Sequence, residues 1–197
     1  FKKQYGMTFQ AYSRGRRLGK ALQQIRAGAS VDDAVFSNGY ESQSGFRDAF
    51  GKTFGTPPGK SHETRCILTS LVETPLGPII VGATDEGICL VEFCDRRMLE
   101  FQIAKLRQYF RCPILPGINA HLTHVKRELA EYFEGRLKKF TVSMVVPGSE
   151  FQQNVWRHLQ KIPYGKTISY ETLAGQVGIP KASRAVGTAN GMNRIAI

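Results

Sequence analysis

Between Ile67 and Phe93 the chain alternates short apolar runs with tight-turn tripeptides, and few folds other than an antiparallel meander satisfy that alternation. Residues 67–73, 79–83 and 88–93 read as strands, separated by Pro75-Leu76-Gly77 and Asp85-Glu86-Gly87. Beyond them the apolar spacing changes from two residues to the helical repeat. Residues 98–110 and 122–133 read as helices, the second carrying Leu122, Val125, Leu129, Tyr132 and Phe133 on one face. Residues 140–146 read as a return to strand. His121 and His124 share a helical face with no Glu or third ligand beside them, so they read as surface histidines.

Helices dominate on both sides of this block. From Thr8 to Arg26 apolar residues recur at Phe9, Tyr12, Leu18, Ala21, Leu22 and Ile25, with Thr8 as N-cap and Gly28 as stop. The other face carries Arg14, Arg16, Arg17 and Lys20, which suit a solvated surface and a row of phosphate contacts equally well. Ser30 caps a short helix with Asp32 and Asp33 in its first turn, where the helix dipole favours carboxylates. Gly39 ends it. Ser42 or Ser44 then opens a helix with Phe46, Phe50 and Phe54 four residues apart, closed by Gly55 and Pro57-Pro58. The phenylalanines belong to a core, which leaves Ser42, Gln43, Ser44, Arg47 and Lys52 to face DNA. The layout is a helix-turn-helix or an ordinary helical hairpin.

At the other end, Ser149 and Gln152 form a capping box before a stripe of Phe151, Val155, Leu159 and Ile162, with Trp156 nearby. Ser169 caps a second helix ending at Gly178, and Pro180 is expected at the first position of a third. That third helix, residues 181–190, is built from small residues. Ala182, Ala185, Val186 and Ala189 form the inward stripe, while Arg184, Gly187, Thr188 and Gly191 point the other way. A slim helix with one long cation suits a minor groove. It suits close helix–helix packing as well.

Charge bears on the class of partner rather than on that choice. Lys and Arg number 27 against 16 acids, a formal charge of +11, which selects for a polyanionic partner. The excess sits at the ends: ten basic to five acidic in residues 1–64 and six to two in 147–197, against eleven to nine in 65–146. Cys66, Cys89, Cys94 and Cys112 form no C-x-x-C pair and no zinc-ligand spacing with His, so no metal is expected. Phe1-Lys2-Lys3-Gln4 lacks a signal-peptide core, no membrane span is long enough, and a reducing cytoplasm is the expected compartment. The start at Phe1 and the finish in Ile195-Ala196-Ile197 read as a chain cut at both ends.

Two stretches resemble known families. Gly39-Tyr40-Glu41-Ser42, Gly45-Phe46-Arg47-Asp48-Ala49-Phe50 and Phe54-Gly55-Thr56-Pro57 resemble the second helix-turn-helix of AraC-family regulators. Residues 1–7, Phe-Lys-Lys-Gln-Tyr-Gly-Met, resemble the end of that family's first recognition helix. Phe151-x-x-x-Val155-Trp156-x-x-Leu159-x-x-Ile162-Pro163-Tyr164-Gly165, Ser169-Tyr170-x-x-Leu173-Ala174 and Arg184-Ala185-Val186-Gly187-x-Ala189 through Asn193 resemble 6-O-methylguanine-DNA methyltransferases. The second match is strong over 147–197 and weak over 65–146, and the order of the two units is that of Ada-type proteins.

The resemblance implies an α+β chain in three parts: a partial AraC-type helix-turn-helix bundle at 1–64, a ribonuclease-H-like α/β subdomain at 65–146, and a winged-helix-like DNA-binding domain at 147–197. It further implies irreversible methyl transfer from 6-O-methylguanine, and 4-O-methylthymine, in double-stranded DNA to a protein cysteine, coupled to promoter regulation through RNA polymerase. No cofactor is implied, and the expected state is a monomer. Arg184 matches the arginine that fills the space of an everted base, since the alkylated oxygen is inaccessible inside a stack. Tyr170 matches the tyrosine that crowds the target phosphate and lines the pocket, with a phenol able to protonate the departing guanine. Asn193 matches an asparagine bracing the turn toward the nucleophile. Gln152, Tyr170, Glu171 and Arg184 fall at DNA-contact positions, Glu171 being a departure because phosphate repels a carboxylate. The family's Pro-Cys-His-Arg motif falls just beyond Ile197, so these residues alone are expected to be inactive in transfer. A non-catalytic regulator and an alkyltransferase-like lesion sensor are the alternatives.

Overall fold

The computed structural model describes residues 8–197; the expected remnant of a first recognition helix, residues 1–7, lies outside them. Helix α1 (Phe9–Arg26) starts where the Thr8 hydroxyl accepts from the Ala11 amide, and it ends at Ala27 before Gly28 turns the backbone left-handed at φ 94°. Helix α2 (Val31–Ser37) is capped by Ser30, and α3 (Gln43–Phe54) by Ser42, with Gly55 at φ 71° closing it. Phe46 and Phe50 are fully buried among Leu18, Leu22, Ala34 and Val35. Deleting either ring would cost about 3–5 kcal/mol.

The meander forms as the turns dictate. Strands β1 (Ile67–Val72), β2 (Ile79–Ala83) and β3 (Ile88–Phe93) pair antiparallel in register Ser70 to Val81 and Val81 to Val91. Helix α4 (Leu99–Phe110) leads to β4 (Ile114–Pro116), which pairs parallel with β1 and gives the sheet order β3-β2-β1-β4. The fourth strand therefore lies at 114–116 rather than in the stretch 140–146. There only an isolated bridge, Met144 to Ile88, joins the sheet, because the Thr141 and Val142 amides donate instead to the Glu128 carboxylate on α5 (Ala120–Phe133).

Three helices complete the chain: α6 (Glu150–Leu159), α7 (Tyr170–Gln176) and α8 (Ser183–Gly191). Their own core comprises Val155, Trp156, Leu173, Ala174, Val177, Val186 and Ala189. Pro180 lies in the turn ahead of α8 instead of opening it; the Ala182 amide bonds back to the Ile179 carbonyl, which delays the helix to Ser183. Ala185 is exposed, so the inward stripe narrows to Val186 and Ala189. Ile195 makes a single parallel bridge to Val91 on the sheet.

The first three helices and the sheet share one core. Gly15 and Gly19 bring α1 onto Pro116, where an added Cβ would lie 3.2 Å from the Pro116 side chain and carbonyl respectively. Arg26 reaches across to Asp85 at 3.0 Å and to the Thr64 carbonyl. Eight α-helices and a four-stranded mixed sheet thus make up the described residues, an α+β fold. No helix among them is long and apolar enough to cross a membrane.

Candidate nucleic-acid interface

Trp156 organises the last three helices. It is buried, and its indole N–H donates to the Ala189 carbonyl at 2.9 Å, tying the last turn of α8 to α6. Gly148 makes room for it: a Cβ there would fall 2.5 Å from the ring. The capping box of α6 is complete, Gln152 Oε1 accepting from the Ser149 amide at 3.0 Å. The Gln152 carbonyl oxygen is thereby committed, leaving its amide N–H groups to reach outward.

Tyr170 opens α7 and lies half-exposed across α8. Its ring covers Gly187, where a Cβ would approach Cε2 to 3.2 Å. Asn190 Nδ2 donates to the phenol oxygen at 3.0 Å, so the phenolic proton stays free to donate elsewhere. Tyr170, Ser183, Arg184, Gly187 and Thr188 line an open groove of about 600 Å³ along the outer face of α8. Arg184 is exposed in the first turn of that helix, and no hydrogen bond or ion pair among the described residues engages its guanidinium. Glu171 sits in the first turn of α7 on the solvent side, where the helix dipole accommodates a carboxylate, and it does not line the groove. Asn193 stands apart from the groove. Its side chain accepts from the Ile195 amide at 3.1 Å and donates to the Ile195 carbonyl at 2.9 Å, closing the turn that leaves α8.

The residues expected to face outward on α3 are distributed differently. The Ser42 hydroxyl is taken by the helix cap, accepting from the Gly45 amide at 3.2 Å, and Ser44 donates to it at 3.4 Å. Gln43 donates to Asp32 at 2.7 Å, and Lys52 pairs with Asp48 at 2.8 Å. Only Arg47 of this set is exposed with no partner among the described residues. On α1, Arg17 belongs to neither of its expected surfaces. It donates to the Gly39 carbonyl at 3.0 Å and lies 4.9 Å over the Tyr40 ring, fastening α1 to the turn before α3.

The histidine reading also changes: Glu128, one turn beyond His124, lies 3.3 Å from its Nε2. Glu128 is buried, which pushes its carboxyl up, but the Thr141 hydroxyl and amide, His124 and the Val142 amide outweigh burial and hold it below the usual range. No cluster among the described residues could hold a metal ion. All four cysteines are free thiols. Burial pushes Cys66 and Cys89 up to about 12 and raises Cys94 and Cys112 as well, so none is an activated thiolate.

Sequence reasoning missed the groups that hold the interface together. Arg194 is buried, donating to the Pro147 carbonyl at 2.7 Å beneath Trp156. Asn190 and the pair Glu92–Arg96 carry no motif or spacing that sets them apart from solvated polar residues. Gln102 offered a signal: it occupies a position on the inward face of α4, four residues before the buried Leu106.

The fold defines a class: a helix-turn-helix unit ahead of a sheet-based subdomain and a three-helix unit with an arginine-bearing groove. Residues 1–63 match a helix-turn-helix domain family. Residues 67–144 match the ribonuclease-like domain, and residues 150–197 the DNA binding domain, of 6-O-methylguanine DNA methyltransferase. A methylated-DNA–protein-cysteine methyltransferase from Methanosarcina acetivorans is 38% identical over 131 residues, 65% of this chain and 76% of that protein. The bifunctional transcriptional activator/DNA repair enzyme Ada from Escherichia coli is 32% identical over the whole chain, which spans 56% of Ada. The crystal structure of Mycobacterium tuberculosis OGT in complex with DNA superposes with TM-score 0.55 at 32% identity, over 67% of this chain and 73% of that one. The chain belongs to the methylated-DNA–protein-cysteine methyltransferase family, and its likeness to Ada extends through the helix-turn-helix unit as well.

Proposed function

We propose that this protein binds duplex DNA through α8 and everts an alkylated base for irreversible methyl transfer to a cysteine thiolate, coupled to promoter recognition by α3. The observation that carries it is the free guanidinium of Arg184 at the mouth of a groove lined by Gly187 and the Tyr170 ring packed against it. Small residues let the helix backbone approach a minor groove, and the guanidinium occupies the gap left by the everted base. The substrates are 6-O-methylguanine and 4-O-methylthymine. In the transfer the sulfur–carbon bond forms as the carbon–oxygen bond breaks, and the guanine leaves with the electron pair. Tyr170, whose oxygen already accepts from Asn190, protonates it and crowds the target phosphate. Gln152 contacts the backbone through its free amide, Glu171 points away from phosphate, and Asn193 fixes the turn toward the reacting thiol. The acceptor is not Cys66, Cys89, Cys94 or Cys112, whose thiols are shielded and poorly ionised. We divide the chain accordingly into a helix-turn-helix unit at 1–64, a ribonuclease-H-like scaffold at 65–146 and a DNA-binding unit at 147–197.

The test is made in the full-length protein that carries the acceptor cysteine, comparing Arg184→Ala with the unaltered sequence on two substrates. Reaction with alkylated duplex should slow at least tenfold, while reaction with the free modified base stays near its original rate. Equal slowing on both would sink the eversion role, and tight duplex binding with no transfer would point to a lesion sensor. For α3, Arg47→Ala should weaken promoter binding by about 1–3 kcal/mol and spare repair.

A further inference from the structure

The two ends of α8 are treated very differently. In its first turn Val186 is buried and only the Arg184 guanidinium projects freely, whereas the carbonyls at and beyond its last turn are each held by a different element. The Trp156 indole takes Ala189, Arg96 Nη2 takes Gly191 at 3.0 Å, Gln102 Nε2 takes Asn193 at 3.2 Å, and the Val91 amide takes Arg194 at 2.8 Å. Arg96 follows β3 and is itself gripped by the carboxylate of Glu92, which is fully buried and also accepts from the Phe93 amide at 3.0 Å. A guanidinium can hold a carboxylate with one nitrogen and a carbonyl with another, and a cation at a helix C-terminus also meets the negative end of the dipole. Gln102 is buried on α4 with its carbonyl oxygen unpartnered, so its amide N–H bond to Asn193 is what the side chain offers in that place.

We infer that Glu92, Arg96 and Gln102 form a clamp on the sheet subdomain that sets the direction of α8, making them positioning residues for base eversion. This rests on the proposed role of Arg184. Nine residues of helix span about 13 Å, so a tilt of about 5° at the clamped end moves the Arg184 end by about 1 Å. Displacements of that size are enough to cost large factors in a geometrically demanding step. The same clamp sets the Asn193 turn, so the scaffold aims both the finger and the segment that leads to the thiol.

The experiment places 2-aminopurine at the target position of a duplex, where its fluorescence rises on unstacking, once opposite its pairing partner and once in a mismatch. Arg96→Met combined with Glu92→Gln avoids a buried unpaired carboxylate, and Gln102→Leu is a second, independent variant; melting curves confirm that each folds. The clamp variants should lose roughly tenfold in the eversion equilibrium for the paired target and little for the mismatch, where opening is already cheap. Undiminished eversion of the paired target in both variants would overturn the clamp. So would an equal loss on paired and mismatched targets in folded protein, the mark of a merely structural role. Absence of any fluorescence rise with the unaltered protein would instead overturn the eversion reading on which the clamp rests.

Discussion

The ring of Tyr170 occupies the space that a side chain on Gly187 would need: a Cβ added there would lie 3.2 Å from the ring's Cε2. Gly187 is therefore a seat for an aromatic ring as much as a concession to close approach. In Gly187→Ala the ring is the part that yields, because it is half-exposed, while the helix gains up to about 1 kcal/mol of intrinsic propensity. The melting temperature should hold or rise while duplex affinity falls roughly tenfold, measured by fluorescence anisotropy. Unchanged affinity would remove Tyr170 from the interface.

Trp156→Phe keeps most of the apolar contact and deletes the N–H that satisfies the Ala189 carbonyl. The stranded carbonyl should cost about 1–3 kcal/mol in urea titrations. Circular dichroism is the appropriate readout, because Trp156 is the only tryptophan in the chain.

Glu128 accepts from Thr141 and Val142 and sits beside His124, which together depress its carboxyl. A depressed carboxyl contributes stability above its unfolded value of 4.5, and that contribution is lost as pH falls through the lower folded value. Glu128→Gln should thus destabilise by about 1–3 kcal/mol near neutrality, with the gap to the unaltered protein closing under acid. A gap independent of pH would mean the carboxylate charge is irrelevant there.

Cys66 and Cys89 reach about 12 when folded against an ordinary value of 9.0. A thiol raised by folding stabilises below its unfolded value, and the benefit disappears as pH climbs from 9.0 toward 12. Stability should therefore decline across that alkaline window, and Cys66→Ala/Cys89→Ala should flatten the decline. Near neutrality both thiols should resist thiol reagents until the protein is denatured.

Local chemistry carried the parts of the fold that were legible in the sequence. Ser30, Ser149 and Ser169 cap helices where their spacing implies, and Gly55 and Gly178 end them, because capping depends on a few neighbouring residues. The strands at 79–83 and 88–93 follow from turns that lie beside them. The strand at Ile114–Pro116 was hidden: its pairing with β1 is parallel and distant, and three residues make no periodic pattern. The stretch 140–146 looks like a strand by composition but loses its backbone donors to a carboxylate on another helix. Arg184 and Tyr170 could be singled out from a slim helix and a matching motif. Arg17, Arg96 and Arg194 could not be told apart from solvated cations, because burial of a guanidinium is decided by which carbonyls and rings the tertiary fold brings to it.

Seating α1 on Pro116 through Gly15 and Gly19 has a hydrodynamic corollary. The helix-turn-helix and the sheet should reorient in solution as one particle, giving a common rotational correlation time in nuclear relaxation where two tethered lobes would give two. A bulky residue at Gly19 would split that value, and any torque that a bound duplex exerts on one half would cease to reach the other.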